Sequence, residues 1–239
     1  GEHDVSTRPG LVAAVCPALN EAATVASVVA DALSHFDLVI VVDDGSRDAT
    51  GDLARAAGAI VVRHPFNLGV GAALQTGFRV ALRYGADTVV QIDADGQHPA
   101  DQVERLLSGL GPDVSMVIGS RFLDGSALYA KGPRGWAMRV LARRASAHAG
   151  QPLTDASSGF RAISRPLLDE FARDFPDAYL GDTFGAAVLA RRHGYGVREI
   201  AVELRDRQGG VPSVGPLRAA LLVARALAST STAETRPKL

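Results

Sequence analysis

Two carboxylates one residue apart, Asp93-Ala94-Asp95, follow the apolar run Thr88-Val89-Val90-Gln91-Ile92. Where a chain leaves extended alternation and enters a turn, both side chains of such a pair can reach one hard cation. Mg²⁺ and Mn²⁺ favour oxygen ligands and are often held by one or two carboxylates plus the phosphates of a ligand. Gln97 offers a third oxygen two residues further on. The same pattern can also close a turn with Asx hydrogen bonds, the structural alternative. A second acidic cluster, Asp43-Asp44-Gly45-Ser46, follows Leu38-Val39-Ile40-Val41-Val42. A carboxylate accepts N–H and O–H donors, so an Asp here could recognise the amide edge of a base or a ribose hydroxyl. Alternatively, Asp44-Gly45 is a turn and Ser46 or Asp48 a helix cap. Glu21 has the same two readings, a nucleoside contact or a partner for a helix dipole. Arg121, Arg134, Arg205 and Arg207 lie in or beside predicted loops, where a guanidinium fork can grip phosphate. The 205–207 pair sits in a Gly-rich and Pro-rich stretch and is the best candidate for a phosphate clamp or lid.

Other chemistries lose ground on the same residues. None of the six histidines stands at metal-ligand spacing, and His98 reads as a satisfied loop histidine. Ser157-Ser158-Gly159 is not the G-x-S-x-G elbow of a serine hydrolase. Gly69-Val70-Gly71 opens a segment that lacks the Lys-Ser/Thr end of a phosphate loop. The one cysteine, Cys16, lies in an apolar run and reads as a small buried hydrophobe. A formal net charge of -1 across 239 residues supplies no field for nucleic acid. With 47% hydrophobic and 21% charged residues, the composition is that of an ordinary globular chain.

The elements that must position these side chains alternate. Strands are predicted over 11–19, 37–46, 59–64 and 87–96, with helices over 20–33, 50–58 and 69–85 between them. Asn20 is the expected cap of the first helix, and Gly58 and Gly85 are the expected stops of the next two. Continuous β-branched runs such as Leu38–Val42 are expected to be covered on both faces. The fold class is therefore α/β with a mainly parallel sheet flanked by helices, and ligands of such sheets bind outside the carboxyl ends of the strands. Asn20-Glu21, Asp43-Asp44 and Asp93-Asp95 all fall at strand ends and should share one rim. Further on, the pattern predicts a helix over 101–110, a strand over 115–122 leading to Arg121, a long loop over 123–135 and a helix over 136–150. It continues with a turn-rich segment becoming strand over 154–165, a helix over 183–196 and an alternating, edge-like or antiparallel strand over 197–204.

Taken in order, Pro17-Ala18-Leu19-Asn20-Glu21, Val41-Val42-Asp43-Asp44-Gly45-Ser46, the Asn67–Gly77 segment, Asp93-Ala94-Asp95-Gly96-Gln97-His98-Pro99, Gly119-Ser120-Arg121-Phe122 and Asp155–Ala162 resemble the family-2 glycosyltransferases of GT-A fold. Within them the chain is similar to the dolichyl-phosphate mannose synthase branch and its bacterial polyprenyl-phosphate relatives. The resemblance spans roughly residues 11–216. It implies that Pro17, Leu19, Glu21 and one of Asp43 or Asp44 line the nucleoside. It implies that Asp93, Ala94 and Asp95 face the nucleotide-sugar, with Mg²⁺ or Mn²⁺ on Asp93, Asp95 and Gln97. Arg121, Arg134 and Arg205 would approach phosphates or acceptor, and Asp155 would lie near the sugar or acceptor as a catalytic group beside Asp95 and Arg121. Two departures stand out. A Gly-Glu-Ser-Lys-like loop is replaced by Arg207-Gln208-Gly209-Gly210, and the Glu-Asp that serves many polysaccharide builders as a base is replaced by Gly181-Asp182-Thr183. Absence of a strong base suits an acceptor that is already ionised.

The implied activity is transfer of one sugar, with inversion, from a UDP- or GDP-sugar to a polyprenyl phosphate. A hydroxyl acceptor with Asp155 or Asp182 as base is the alternative, and a non-catalytic nucleotide-sugar-binding domain is a third reading. The expected organisation is a flexible lead-in over 1–10, one domain over 11–216, and a C-terminal helix and polar tail over 217–239. In that helix Leu217, Leu221, Ala224 and Ala228 share one face and Arg218 and Arg225 another, which suits an anionic interface, although the segment is too short to span a bilayer. The expected setting is the cytoplasm, peripheral on the cytoplasmic face of the membrane, with a small membrane protein as a further partner.

Overall fold

A computed structural model describes residues 10–123, 154–155, 158–175 and 185–203. The predicted loop beyond Leu123 with Arg134, the helix over 136–150, Asp182, Arg205, Arg207 and the helix over 217–228 lie outside the described residues.

The first half follows the predicted alternation. Strand β1 (Val12–Ala18) leads to helix α1 (Val25–Ala32), β2 (Leu38–Asp43), α2 (Thr50–Ala56), β3 (Ile60–Arg63), α3 (Val70–Arg83) and β4 (Thr88–Gln91). Gly58 and Gly85 close α2 and α3 at φ 105 and φ 84, each followed by an N–H that reaches back to the helix, Ala59 to Ala54 and Ala86 to Ala81. A short 3₁₀ turn (Ala100–Gln102) then leads into α4 (Val103–Ser108) and β5 (Met116–Ser120). After the undescribed stretch come β6 (Arg161–Ser164), α5 (Leu167–Arg173), α6 (Ala186–Arg192) and β7 (Val197–Ala201).

Among the described residues the strands form one sheet of order β3-β2-β1-β4-β6-β5-β7. Pairing is parallel except at β6, which runs antiparallel to both β4 and β5. Residues of α3, α5 and α6 cover one face of the sheet and residues of α1, α2 and α4 the other, so the polar ladder is dry on both sides. The first core is anchored by Phe78, Phe171 and Phe175, whose ring centroids lie 5.0–6.3 Å apart. Each such ring contributes about 1.5–3 kcal/mol by burial. The α3 side chains Arg79 and Gln75 then satisfy the Ala172 and Arg173 carbonyls at the end of α5, at 2.7 and 3.0 Å. Chain order reverses between β1 and β4, and the crevice outside their carboxyl ends is where open α/β sheets bind ligands.

One sequence expectation needs correction, one is sharpened and one helix is added. Asn20 does not cap α1, which begins at Val25. Asn20 takes a left-handed φ of 56, a conformation Asn tolerates better than most residues, and bonds across to the next strand end instead. Its N–H donates to Ser46 Oγ and its Oδ1 accepts from the Arg47 N–H, both at 2.9 Å. The strand predicted over 197–204 is an edge strand, but it pairs parallel to β5. Helix α5 was not predicted, yet Leu167, Leu168, Phe171 and Ala172 bury one face of it.

Candidate active site

The rim at the carboxyl ends of β1, β2 and β3 is a frame of carboxylates bonded inward. Asp43 Oδ1 accepts the Ser46 N–H at 2.8 Å and closes the turn after β2. Its Oδ2 accepts no hydrogen bond among the described residues, facing Arg63 Nε at 3.3 Å instead. Asp44 is tied more tightly. Its oxygens accept the N–H groups of Leu68 and Gly69 at 2.9 Å each, and Oδ1 meets His64 Nδ1 at 2.7 Å. His64 Nε2 in turn meets Thr76 Oγ1 at 3.0 Å, so Asp44 fixes both the loop before α3 and the side of that helix. Between these bonds Gly45, at φ 77, lets the turn touch the neighbouring loop: a Cβ there would lie 2.5 Å from the Phe66 carbonyl carbon. The β1 end is tied in by Thr50 Oγ1, which accepts the Glu21 N–H at 2.8 Å, and by Asp48, which accepts from Ala22 at 3.2 Å and from Thr50. Pro17 lies opposite Val42 one residue before the end of β1, and Leu19, the first residue after the strand, is exposed.

Beyond β4 the two acids divide: Asp95 is buried, and Asp93 is presented outward. Asp95 Oδ1 accepts the Gln97 N–H at 3.0 Å, so the Asx turn forms and holds that carboxylate close to the backbone. Asp93 keeps 39% of its side chain exposed. His98 steadies it from beneath. The Asp93 N–H donates to His98 Nδ1 at 2.9 Å, which places the ring proton on Nε2, 3.5 Å from Asp93 Oδ2. The imidazole stacks on Phe160 with centroids 5.2 Å apart. Gly159 lies behind Asp93: a Cβ there would stand 3.1 and 3.2 Å from the two carboxylate oxygens, close enough that the acid would have to give by a few tenths of an ångström. Burial pushes the Cys16 thiol well above its usual range, and the charges of Asp93, Asp95 and Glu21 push it the same way. The charges of acids that follow β1 and β4 are therefore felt at one residue of β1, Cys16.

Next along the rim, Arg121 follows β5 with 37% of its side chain exposed. Its Nε and Nη2 form a bidentate pair with Asp155 at 2.7 and 3.0 Å, and its backbone N–H adds a third bond to Oδ2 at 3.2 Å. Hydrogen bonding to Asp155 holds the guanidinium above its usual range. Burial opposes this, and the charges of Asp155 and Asp93 reinforce it. Asp155 is itself buried, with its N–H on Glu199 Oε1 at 2.8 Å.

This geometry has known relatives. Residues 13–171 match the family described as Glycosyl transferase family 2. The chain belongs to glycosyltransferase family 2. A polyprenol monophosphomannose synthase of Mycolicibacterium smegmatis is 31% identical over 187 residues, covering 72% of this chain and 68% of that one. An undecaprenyl-phosphate mannosyltransferase of Micrococcus luteus is 35% identical over 194 residues, covering 75% and 76%. Glucosyl-3-phosphoglycerate synthase of Mycobacterium tuberculosis, solved with Mn²⁺, UDP and phosphoglyceric acid, superposes with a TM-score of 0.68 at 26% identity, covering 95% of this chain and 80% of that one. The chain is a glycosyltransferase of GT-A fold.

In this glycosyltransferase the structure brings Glu21, Asp93, Ala94, Asp95, Gln97, Arg121 and Asp155 to one rim, and it turns Asp43 and Asp44 inward beneath it. Asp155 lies against Arg121 rather than standing alone as a base. Among the described residues no group of three His, Cys, Asp or Glu could hold a metal by itself, so a cation here would need oxygens beyond such side chains. Sequence reasoning gave no role to His64, Gly159 or Glu199. Their partners lie 12 to 66 positions away in the chain, too far for a local pattern to show.

Proposed function

We propose that the protein transfers a sugar from a nucleotide diphosphate-sugar to a polyprenyl phosphate, with Asp93, Asp95 and Gln97 holding Mg²⁺ or Mn²⁺ against the diphosphate. The observation that carries the reading is the outward-facing Asp93 beyond β4, at the strand-order reversal, with its charge felt by the part-exposed Arg121 after β5. The donor set is all oxygen, one carboxylate is accessible, and the glycine behind it leaves room, which suits a hard cation. When bound, such a cation neutralises charge on the leaving diphosphate. Arg121 adds a fork donor for phosphate, and the frame of Asp43, Asp44 and Asp48 holds Pro17, Leu19 and Glu21 where a nucleoside would lie. An oxygen of the acceptor phosphate attacks the anomeric carbon, the bond from that carbon to the diphosphate oxygen breaks in line, and configuration inverts.

The ion pair of Asp155 supports a phosphate acceptor. A carboxylate held by three bonds from Arg121 is poorly placed to remove a proton from a hydroxyl, whereas a phosphate needs no proton removed. The names of the Mycolicibacterium and Micrococcus relatives point the same way. The tuberculosis enzyme suggests the second reading, a small phosphorylated acid as acceptor. Among the described residues no helix is long and apolar enough to cross a membrane. Peripheral attachment to the cytoplasmic face, through the segment 217–228 or a small membrane protein, belongs to the same proposal.

The test offers UDP- and GDP-sugars with Mn²⁺ to the protein together with a short-chain polyprenyl phosphate, 3-phosphoglycerate or a saccharide. Mass spectrometry should find a polyprenyl-phosphate sugar. Product on phosphoglycerate or saccharide alone would overturn the lipid acceptor.

A further inference from the structure

Glu199, on the edge strand β7, is the endpoint of a hydrogen-bonded chain that none of the readings above uses. Its Oε2 accepts the Thr154 N–H at 2.7 Å and the Thr154 hydroxyl at 2.9 Å, and its Oε1 accepts the Asp155 N–H at 2.8 Å. Two successive backbone N–H groups thus converge on one carboxylate, the arrangement of a backbone anion nest. The Thr154 hydroxyl spends its single proton on Glu199. Ser120 Oγ, 2.6 Å from Thr154 Oγ1, must then be the donor of that pair, and it accepts the Phe122 N–H at 3.1 Å. Every hydrogen bond from Phe122 through Ser120 and Thr154 therefore points the same way, towards the Glu199 charge.

The turn that Glu199 holds carries Asp155, which grips Arg121 at its backbone N–H and along the Nε–Nη2 edge of its guanidinium. Ser120 and Phe122, the two neighbours of Arg121, are the far end of the same chain. Arg121 is thus fixed from both sides by contacts that trace back to one acid. We infer that Glu199 is a positioning residue for the transfer: through Thr154 and Asp155 it sets the Arg121 guanidinium at the place where a ligand's phosphate must lie. The inference rests on the proposed phosphate role of Arg121. Glutamine cannot replace this acid, because it has one acceptor oxygen for two separate groups of donors and turns an N–H₂ towards one of them.

The phosphate could belong to the donor's diphosphate or to the acceptor, so two probes are used. Calorimetry measures binding of UDP and GDP with Mn²⁺ in one arm and of farnesyl phosphate in the other, for Arg121→Ala, Glu199→Gln and the double variant. Arg121→Ala is expected to weaken at least one probe by about tenfold or more, the loss of a charge-assisted hydrogen bond. Glu199→Gln should weaken that same probe, and the double variant should bind no worse than Arg121→Ala alone. Thr154→Val, which removes only the hydroxyl, should shift the same probe by a smaller factor and serves if Glu199→Gln does not fold. If Arg121→Ala leaves both probes unchanged, the phosphate role falls and the inference with it. If Arg121→Ala weakens binding but Glu199→Gln (or Thr154→Val, if that is the folded variant) leaves it unchanged, or the two losses simply multiply, the phosphate role stands and the inference is overturned.

Discussion

The two sides of the rim carry the same residue type to opposite ends. At the end of β2, Asp43 and Asp44 are buried and bonded to the backbone and to side chains behind them. Beyond β4, Asp93 keeps 39% of its side chain exposed and receives its support from beneath, through His98. A carboxylate that is satisfied inside the fold builds shape, and one left facing the crevice is available to a ligand. Both clusters follow a buried strand and precede a glycine, and the chain sequence alone does not separate them.

Variants at single positions can break or sharpen that contrast. The largest expected effect is on turnover. Asp93→Ala should lower sugar transfer by a factor of about 10² or more, since it removes a contact to the leaving group's charge, and should leave the melting temperature near that of the parent. A variant that keeps most of its activity in Mn²⁺-supplemented buffer would contradict the assignment. On the other side, Asp44→Ala should act mainly on stability. It strands His64 and the Leu68 N–H and leaves the Gly69 N–H with Asn67 Oδ1 as its one remaining acceptor among the described residues, at a cost of about 2 kcal/mol and a fall in melting temperature of about 4–8 °C. A thermal melt unchanged from the parent would show that the Asp44 bonds hold nothing.

A smaller effect is expected at His98, which supports Asp93 from behind and stacks on Phe160. His98→Ala should weaken Mn²⁺-dependent nucleotide binding by about 10- to 100-fold, as loss of an outer-shell partner typically does, and an unchanged affinity would remove His98 from the account. The smallest expected effect is none at all. Cys16, the one cysteine, has no exposed surface and its thiol is pushed up by burial and by the nearby acids. It should resist a thiol reagent until the protein unfolds, and rapid labelling of the native state would mean that the rim opens above β1.

The strands, most helices and the convergence of three acidic strand ends were legible because each rests on local pattern. Hydrophobic period, strand-end turns and stop glycines are properties of a few consecutive residues. Pairings across the chain were not. Glu199 meets Thr154 and Asp155 across 45 and 44 positions, and nothing in Val197-Arg198-Glu199-Ile200 marks which side chain the edge strand turns inward. The antiparallel placement of β6 between β4 and β5 is equally invisible, because alternation does not state direction. Helix α5 did leave a signal, apolar residues at 167, 168, 171 and 172, which the turn-forming residues before Pro166 obscured. Asn20 failed as a cap for a related reason: bonds to Ser46 and Arg47 outbid its own helix.

The central claim is that the cation belongs to the Asp93 side of the rim and the frame to the Asp44 side. The most direct test is calorimetric titration of UDP and GDP, with and without Mn²⁺, into the parent, Asp93→Asn and Asp44→Asn, at a temperature where all three are folded. The ratio of affinities with and without the metal is the quantity to compare. The account predicts that the ratio collapses towards one in Asp93→Asn and stays close to the parent's in Asp44→Asn, even if Asp44→Asn binds more weakly overall. A ratio preserved in Asp93→Asn, or lost in Asp44→Asn, would contradict it.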